Sequence, residues 1–378
     1  MKRFIRFFRS QRPRYELLAF SVISLLCCAK AGELTFVAGT ETEMVQDGLA
    51  DPVIIWVPSD YETKPARQWP VVYWYPGTGG HPSVEFIRRH TGGSGWIIVG
   101  MGFSDPGRFQ ADEAGISGEL AILDRVRERL GARLRLDPGR AFAGGFSKGG
   151  WVSGIFLARD SSLAGALILG AGLLETPPAS ATSRREAFVG IGELDGNRAM
   201  SEQAVRGLRS ANRIVTMDVW NGLGHTLPGS SESLRQWLRC AGSDETRTAL
   251  GIDPLVAESV EWFDDAFARL TKGTEPLRER YFVLKQLKSM PFFSYLDEEG
   301  RSDTNETLQA WAALPELAAE IPAEQRYLEI LDRESRDRQI GTLTLCRDHY
   351  HQLATDAPAT FFGAAAARAA ERASAMLK

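Results

Sequence analysis

Arg140-Ala141-Phe142-Ala143-Gly144-Gly145-Phe146-Ser147-Lys148-Gly149-Gly150 reads as a buried strand that runs without a spacer into a helix. Within it, Gly145-Phe146-Ser147-Lys148-Gly149 fits G-x-S-x-G, with Gly150 adding a further glycine. A bare match arises often by chance. Its meaning here comes from the apolar run before it and the helical pattern after it, which continues through Leu157. A strand turning abruptly into a helix forces the residue at the turn into a strained backbone conformation, and flanking glycines let the strand and helix backbones pass closely. Ser147 would then stand above the end of a sheet where a base can reach it. This makes it the candidate nucleophile, against the alternative of an incidental loop serine.

On both sides of this turn, short β-rich runs alternate with helical patterns from Gly32 to about Cys240. Val53–Val57, Val71–Tyr75, Trp96–Met101, Ala166–Leu169, Ala187–Gly190 and Ile214–Val219 join Arg140–Gly145 as expected strands. Ala121, Ile122, Val126, Leu130 and Leu134 follow helical spacing. Strands separated by helices, and apolar along nearly their whole length, predict a mostly parallel sheet covered on both faces.

A serine hydroxyl is a weak nucleophile at neutral pH and needs a base, usually a histidine oriented by a carboxylate. The chain has five histidines: His81 and His90 precede Ser147, and His349 and His351 lie in a helical tail. His225, in Gly222-Leu223-Gly224-His225, follows a late strand in a glycine-rich loop and is the candidate base. The acid is expected in the turn after the intervening strand, where Asp195 sits in Gly192-Glu193-Leu194-Asp195. Glu193 and Asp218 are its competitors. A tetrahedral intermediate also needs backbone N–H donors, one from the residue after the nucleophile and one from a glycine-rich loop after an early strand. Lys148 and, in Pro76-Gly77-Thr78-Gly79-Gly80, Thr78 are the candidates.

Beyond Cys240 the β runs stop. Glu258–Leu270, Glu275–Met290, Glu306–Glu320, Gln325–Thr355 and Thr360–Leu377 read as helices punctuated by Pro254, Pro291, Pro322 and Pro358. Residues 241–378 are therefore expected to form an all-helical second domain. Its last part is similar to a tetratricopeptide-type hairpin, or is an alanine-rich helical tail packed on its neighbour. A protein partner acting through this region is one expectation for its role.

The N-terminus reads as an address. Six basic residues within the first 14 precede the apolar run Leu17–Ala29, and Ala29-Lys30-Ala31 has the form of a cleavage site. Residues 1–31 are expected to be a signal peptide, giving a secreted or periplasmic protein with no stable membrane insertion after cleavage; a retained anchor is the alternative. The chain of 378 residues carries a net charge of −4. Removing seven basic and one acidic residue with segment 1–31 leaves −10. That balance disfavours nucleic acid and anionic membrane surfaces as partners. A hydrophobic fraction of 44% excludes a disordered chain, and a single long apolar run excludes a multi-span membrane protein. Cys240 and Cys346 would remain, either as one disulfide or as two separate buried thiols.

The residues from about Asp51 to Leu238 resemble the α/β-hydrolase superfamily, most of all secreted esterases of the polyhydroxybutyrate-depolymerase and feruloyl-esterase type. The matching pieces, in order, are Val57-Pro58-Ser59-Asp60-Tyr61, Pro76–Gly80, Asp137-Pro138-Gly139-Arg140 leading into Gly145–Gly150, Gly192–Asp195 and Gly224-His225. The resemblance implies an α/β-hydrolase domain over 32–240 and hydrolysis of carboxylic esters through an acyl-enzyme. Pro76 stands where the family usually has histidine, so the loop lacks that side chain's hydrogen bonds. Lys148 stands where Met or Gln is usual; its side chain is expected to be solvated, or else to meet an acidic or phenolic substrate. The interval Leu174–Arg185 is short and polar, with Pro177-Pro178, so no large apolar lid is expected and the substrate would be a soluble or polymer-bound ester. Trp74, Tyr75, Phe103 and Trp151 are candidates for contact with an aromatic acyl group, or else core residues. A serine peptidase of the same fold is one rival reading; a weakly catalytic or inactive binding module is the other. No P-loop, dinucleotide fingerprint or H-E-x-x-H occurs in the right context, so no cofactor or metal is expected. Cys346–His351 is dense in ligand types, but residues two apart on a helix do not face the same way.

Overall fold

The alternating apolar runs pair into one eight-stranded sheet. The computed structural model describes residues 34–108, 111–179, 186–211, 213–243, 254–290, 293 and 295–378. The expected signal segment 1–31 and part of the 174–185 interval lie outside the described residues. The strands are β1 (Glu41–Met44), β2 (Val53–Trp56), β3 (Trp69–Tyr75), β4 (Ile97–Gly100), β5 (Leu136–Phe146), β6 (Gly165–Leu169), β7 (Glu186–Gly192) and β8 (Ile214–Trp220). Their order across the sheet is β1-β2-β4-β3-β5-β6-β7-β8. β1 and β2 pair antiparallel with each other, and β2 pairs antiparallel with β4; every other pairing is parallel. This is the α/β-hydrolase architecture expected from the sequence. β1 was not expected, because Glu-Thr-Glu-Met carries no apolar run and buries only Met44.

Alternation along the strands sends side chains to two separate cores. Leu167, Leu169 and Phe188 face α1 (Glu85–Thr91) and α5 (Glu232–Ala241), packing with Ile87, Leu234 and Trp237. Ala166, Ile168, Ala187 and Val189 face α3 (Lys148–Arg159) and α4 (Arg198–Ser210), packing with Leu157, Val205 and Leu208. α2 (Glu113–Gly131) starts at Asp112, whose side chain accepts the Gly115 N–H, and buries Ile122, Leu123, Val126 and Leu130.

Beyond the sheet, the chain is helical: α6 (Pro254–Lys272), α7 (Leu277–Leu287), α8 (Glu298–Ala312), α9 (Glu320–Arg336), α10 (Ile340–Asp356) and α11 (Phe361–Met376). Three expectations need correction. Glu306–Glu320 is not one helix: α8 starts earlier and ends at Ala312, a single 3-10 turn follows at Pro315–Leu317, and Glu320 begins α9. Gln325–Thr355 is two helices rather than one. The break falls at Asp337, whose carboxylate accepts the Gln339 N–H at 2.9 Å and the Thr342 hydroxyl at 2.6 Å; a side chain that satisfies local backbone in this way ends a helix without glycine or proline. Pro322 does not punctuate either. It lies in the first turn of α9, where the missing N–H would have had no intrahelical partner.

α9, α10 and α11 share a core of Tyr327, Tyr350, Leu353, Ala366 and Ala370, and Ala199 of α4 enters it. Cys346 lies in this cluster, whereas Cys240 packs with Phe263 and Leu284, so the two are separate buried thiols and no disulfide joins them. Val37–Lys378 form one compact unit. No described helix is long and apolar enough to cross a membrane.

At the centre of the α9–α11 core, the Arg372 guanidinium pairs with the Glu334 carboxylate, which also accepts the Tyr350 hydroxyl at 2.9 Å. Burial alone would depress the Arg372 pKa, but Glu334 outweighs it and the charge is held. Removing one member of such a pair strands the other without water. Glu334→Ala is therefore expected to lower unfolding stability by about 3–5 kcal/mol, and the double variant Glu334→Leu/Arg372→Met by much less. Urea unfolding of both variants checks this; equal losses would contradict it.

Candidate active site

The candidate nucleophile sits where β5 becomes α3. Ser147 has φ 54° and ψ −116°, and is the one non-glycine residue with positive φ among the described residues. Its N–H donates to the Leu169 carbonyl at the end of β6, at 2.8 Å, which pins the turn to the neighbouring strand. The flanking glycines are required by close approach. A Cβ on Gly145 would lie 2.6 Å from the Tyr75 carbonyl oxygen, and one on Gly149 would lie 2.2 Å from it.

The three residues expected to act together are brought together. His225 Nδ1 lies 2.7 Å from Asp195 Oδ2, and His225 Nε2 lies 2.8 Å from Ser147 Oγ. A carboxylate only accepts, so Nδ1–H donates to Asp195 and Nε2 is left to accept the serine proton. Asp195 is buried in the turn after β7, and its other carboxylate oxygen accepts the Asn197 N–H at 2.8 Å. His225 sits in the loop after β8 with 42% of its side chain exposed, its ring 4.9 Å from that of Phe146.

Both competing acids have other partners. Asp218 accepts from Trp220 Nε1 at 2.9 Å and from the Ser231 hydroxyl at 2.6 Å, below the sheet's site end. Glu193 accepts from the Gly222 N–H at 3.0 Å and from the Arg368 guanidinium at 2.7 Å. The remaining histidines lie elsewhere. His81 contacts Asp51, and His90 is buried between the Phe86 carbonyl and the Ser231 N–H. His349 contacts Arg333, and His351 is exposed on α10. The ligand-rich run is divided in the same way, with Cys346 and Tyr350 turned into the core.

The Pro76–Gly80 loop lies against the serine: a Cβ on Gly77 would be 3.5 Å from Ser147 Cβ. Thr78 is exposed in this turn, which the Gly80 N–H closes onto the Gly77 carbonyl at 3.0 Å. The Gly79 N–H donates to the Pro106 carbonyl at 3.2 Å, tying the loop to the segment after β4.

The Lys148 side chain departs from both expectations. It is neither solvated nor available to a substrate. Its ammonium is buried over the Phe103 ring and donates to the carbonyls of Asp105 at 2.7 Å, Pro106 at 3.3 Å and Arg108 at 2.8 Å. Burial lowers its pKa, with Glu119 and Asp105 acting in the opposite direction. Trp74, Tyr75 and Phe103 are core residues rather than rim residues, while Trp151 is half-buried against the α3–α4 core. From the sequence, Asn197 carries no expected role and Glu193 only that of a competing acid. Both flank Asp195 closely enough to have been suspected, but nothing in the spacing shows that Glu193 meets Arg368, 175 positions away.

No family model and no curated protein matches this sequence. Among solved structures, the chain is similar to a Bacillus cereus carboxylesterase, with 21% identity and a TM-score of 0.41, over 50% of this chain and 93% of that one. It is also similar to a ferulic acid esterase, with 14% identity and a TM-score of 0.37, over 50% and 90% of the two chains. A phospholipase/carboxylesterase from Dyadobacter fermentans gives 16% identity and a TM-score of 0.37, over 52% and 94%.

Lys148→Met keeps the volume but removes the donor from three carbonyls. We expect it to lower stability by at least about 2 kcal/mol, since even one hydrogen bond from a charged group contributes about 1.5–3 kcal/mol net. Denaturant unfolding measures this, and an unchanged midpoint would show that the clamp contributes nothing.

Proposed function

We propose that this chain is a serine hydrolase that cleaves carboxylic esters through an acyl-enzyme. The observation that carries the reading is the continuous hydrogen-bonded line from Ser147 Oγ through His225 to Asp195, at 2.8 and 2.7 Å. In that line His225 Nε2 takes the serine proton as Oγ attacks the ester carbonyl, and Asp195 stabilises the imidazolium without itself being protonated. The backbone N–H groups of Thr78 and Lys148 are the proposed donors to the oxyanion. Lys148 directly follows Ser147 and the loop of Thr78 lies against it, which supports that role, because donors fixed in advance need no reorganisation as charge develops. His225 then protonates the departing alcohol, and a water activated by the same imidazole releases the acid.

The half-exposed imidazole and the exposed Thr78 favour an open site and soluble or polymer-bound esters. The reading calls on no cofactor. Pro76 removes a side-chain support, but the Gly79–Pro106 hydrogen bond and the Lys148 clamp behind it supply a different one. This favours a working site over an inactive binding module. A peptidase would use the same groups, and only substrate assays separate it from an esterase. The basic segment and apolar run of residues 1–31 support export to the periplasm or beyond the cell.

A fluorophosphonate probe is expected to label the parent at Ser147 and to leave Ser147→Ala unlabelled. Absence of labelling in a folded parent would defeat the proposal. Asp195→Asn should lower kcat on a p-nitrophenyl ester by about 10⁴-fold, the cost of presenting the wrong imidazole tautomer. Asp218→Asn should leave most of kcat in place, since Asp218 serves Trp220 and Ser231 instead. The reverse ranking would reassign the acid.

A further inference from the structure

The helical region is joined to the candidate site by charge rather than by an apolar seam alone. Glu193 follows the last residue of β7 and precedes Asp195 by two positions. One of its carboxylate oxygens receives Nε and Nη2 of Arg368 on α11, the first at 2.7 Å. The other accepts the Gly222 N–H at 3.0 Å. Gly222 opens the His225 loop at φ 68°, and the Leu194 N–H adds a second tie across the same gap, to the Leu223 carbonyl at 2.8 Å. One side chain therefore reinforces the backbone ties between the loop carrying the acid and the loop carrying the base, and α11 fixes that side chain from outside.

Two more arginines from the helical region reach the same turn. Arg338 donates to the Gly196 carbonyl at 2.8 Å, and Arg372 lies 3.5 Å from the Glu193 carbonyl. Arg372 is itself fixed by the buried Glu334. Glu193 is 8% exposed at its side chain, so its charge is largely removed from water and depends on Arg368 for compensation.

We propose that α9–α11 are a structural part of the catalytic constellation, and that Arg368, acting through Glu193, is a positioning residue that sets the Asp195–His225 distance. The inference rests on the serine-hydrolase reading for its consequence, but its geometry concerns the two loops themselves. Without the guanidinium, the Glu193 carboxylate turns toward water and releases the Gly222 N–H, so the histidine loop loses its side-chain tie to Glu193 and keeps only the backbone bonds and the Asp195–His225 contact itself. Displacement of catalytic groups by about 1 Å costs about 100-fold in rate.

The test compares Arg368→Ala, Arg368→Lys and Glu193→Gln with the parent, with Arg326→Ala as control. Arg326 pairs with Asp356 on an exposed face of the same helical region. On a p-nitrophenyl ester, Arg368→Ala is expected to lower kcat about 10- to 100-fold with KM nearly unchanged, at temperatures well below its thermal midpoint. Arg368→Lys should recover part of the loss. Arg368→Ala combined with Glu193→Gln should lose little more than the worse single variant, because both act through one contact. The control should keep the parent kcat. A second readout needs no turnover: the Nδ1–H resonance of His225 should broaden or vanish in Arg368→Ala while the fold is kept. Parent-like kcat together with a parent-like resonance in Arg368→Ala would overturn the inference. An unreactive parent would defeat the hydrolase reading and leave the resonance to decide the positioning role.

Discussion

The Tyr75 carbonyl is the constraint on which the site is built. It ends β3, and it comes so close to the β5–α3 junction that neither Gly145 nor Gly149 has room for a Cβ. β3 and β5 are adjacent parallel strands, paired in register through Tyr75 and Gly145. The chain leaving β3 and the chain leaving β5 must therefore separate within one residue of each other. Ser147 takes the strain, with φ 54°, and the Pro76–Gly80 loop takes the space beside it. One close approach thus places Ser147 and the Pro76–Gly80 loop together before any side chain contributes.

What was legible in the sequence follows from that constraint. Local rules carry the strand–turn–helix reading of Gly145–Gly149, because the glycines, the apolar run and the helical period all lie within a dozen residues. Asp195 and His225 were legible for a related reason: each follows an apolar run in a glycine-containing turn, and chain order selects among few candidates. The failures were of two kinds. β1 and the break at Asp337 lack the apolar or glycine and proline signals that mark such features, and depend on pairing or on one carboxylate. Lys148 was misplaced because its partners are backbone carbonyls 40 to 43 positions earlier, and carbonyls leave no trace in residue identity.

Charge at this site is used for placement. Lys148 satisfies three carbonyls of the segment that in turn receives the Gly79 N–H, so a buried cation stands behind the loop proposed to hold the oxyanion. Asp218 gathers Trp220, Ser231 and, at 3.3 Å, Gln286 of α7, fixing the exit of β8 and the start of α5 below the His225 loop. Buried charges of this kind add little net stability over a well-packed apolar alternative, but each accepts only one geometry at low cost. That is a useful property beneath loops that must hold 2.7 and 2.8 Å contacts while staying open to solvent.

The same logic explains why the helical region bonds to the acid turn through arginines. An apolar face on α11 would bind the sheet wherever shape allowed, and sliding by a fraction of a turn would cost little. Arg338, Arg368 and Arg372 instead meet a carboxylate and two carbonyls at defined points of one short turn. The contact between Glu193 and Arg368 also joins segments 175 positions apart. Closing a loop of that length carries an entropy cost that the local contacts around Ser147 avoid. The turn carrying Asp195 therefore draws part of its support from the far end of the chain. The strained Ser147 junction, by contrast, is built from contacts among β3, β5, β6 and α3 alone, and owes nothing to the helical region.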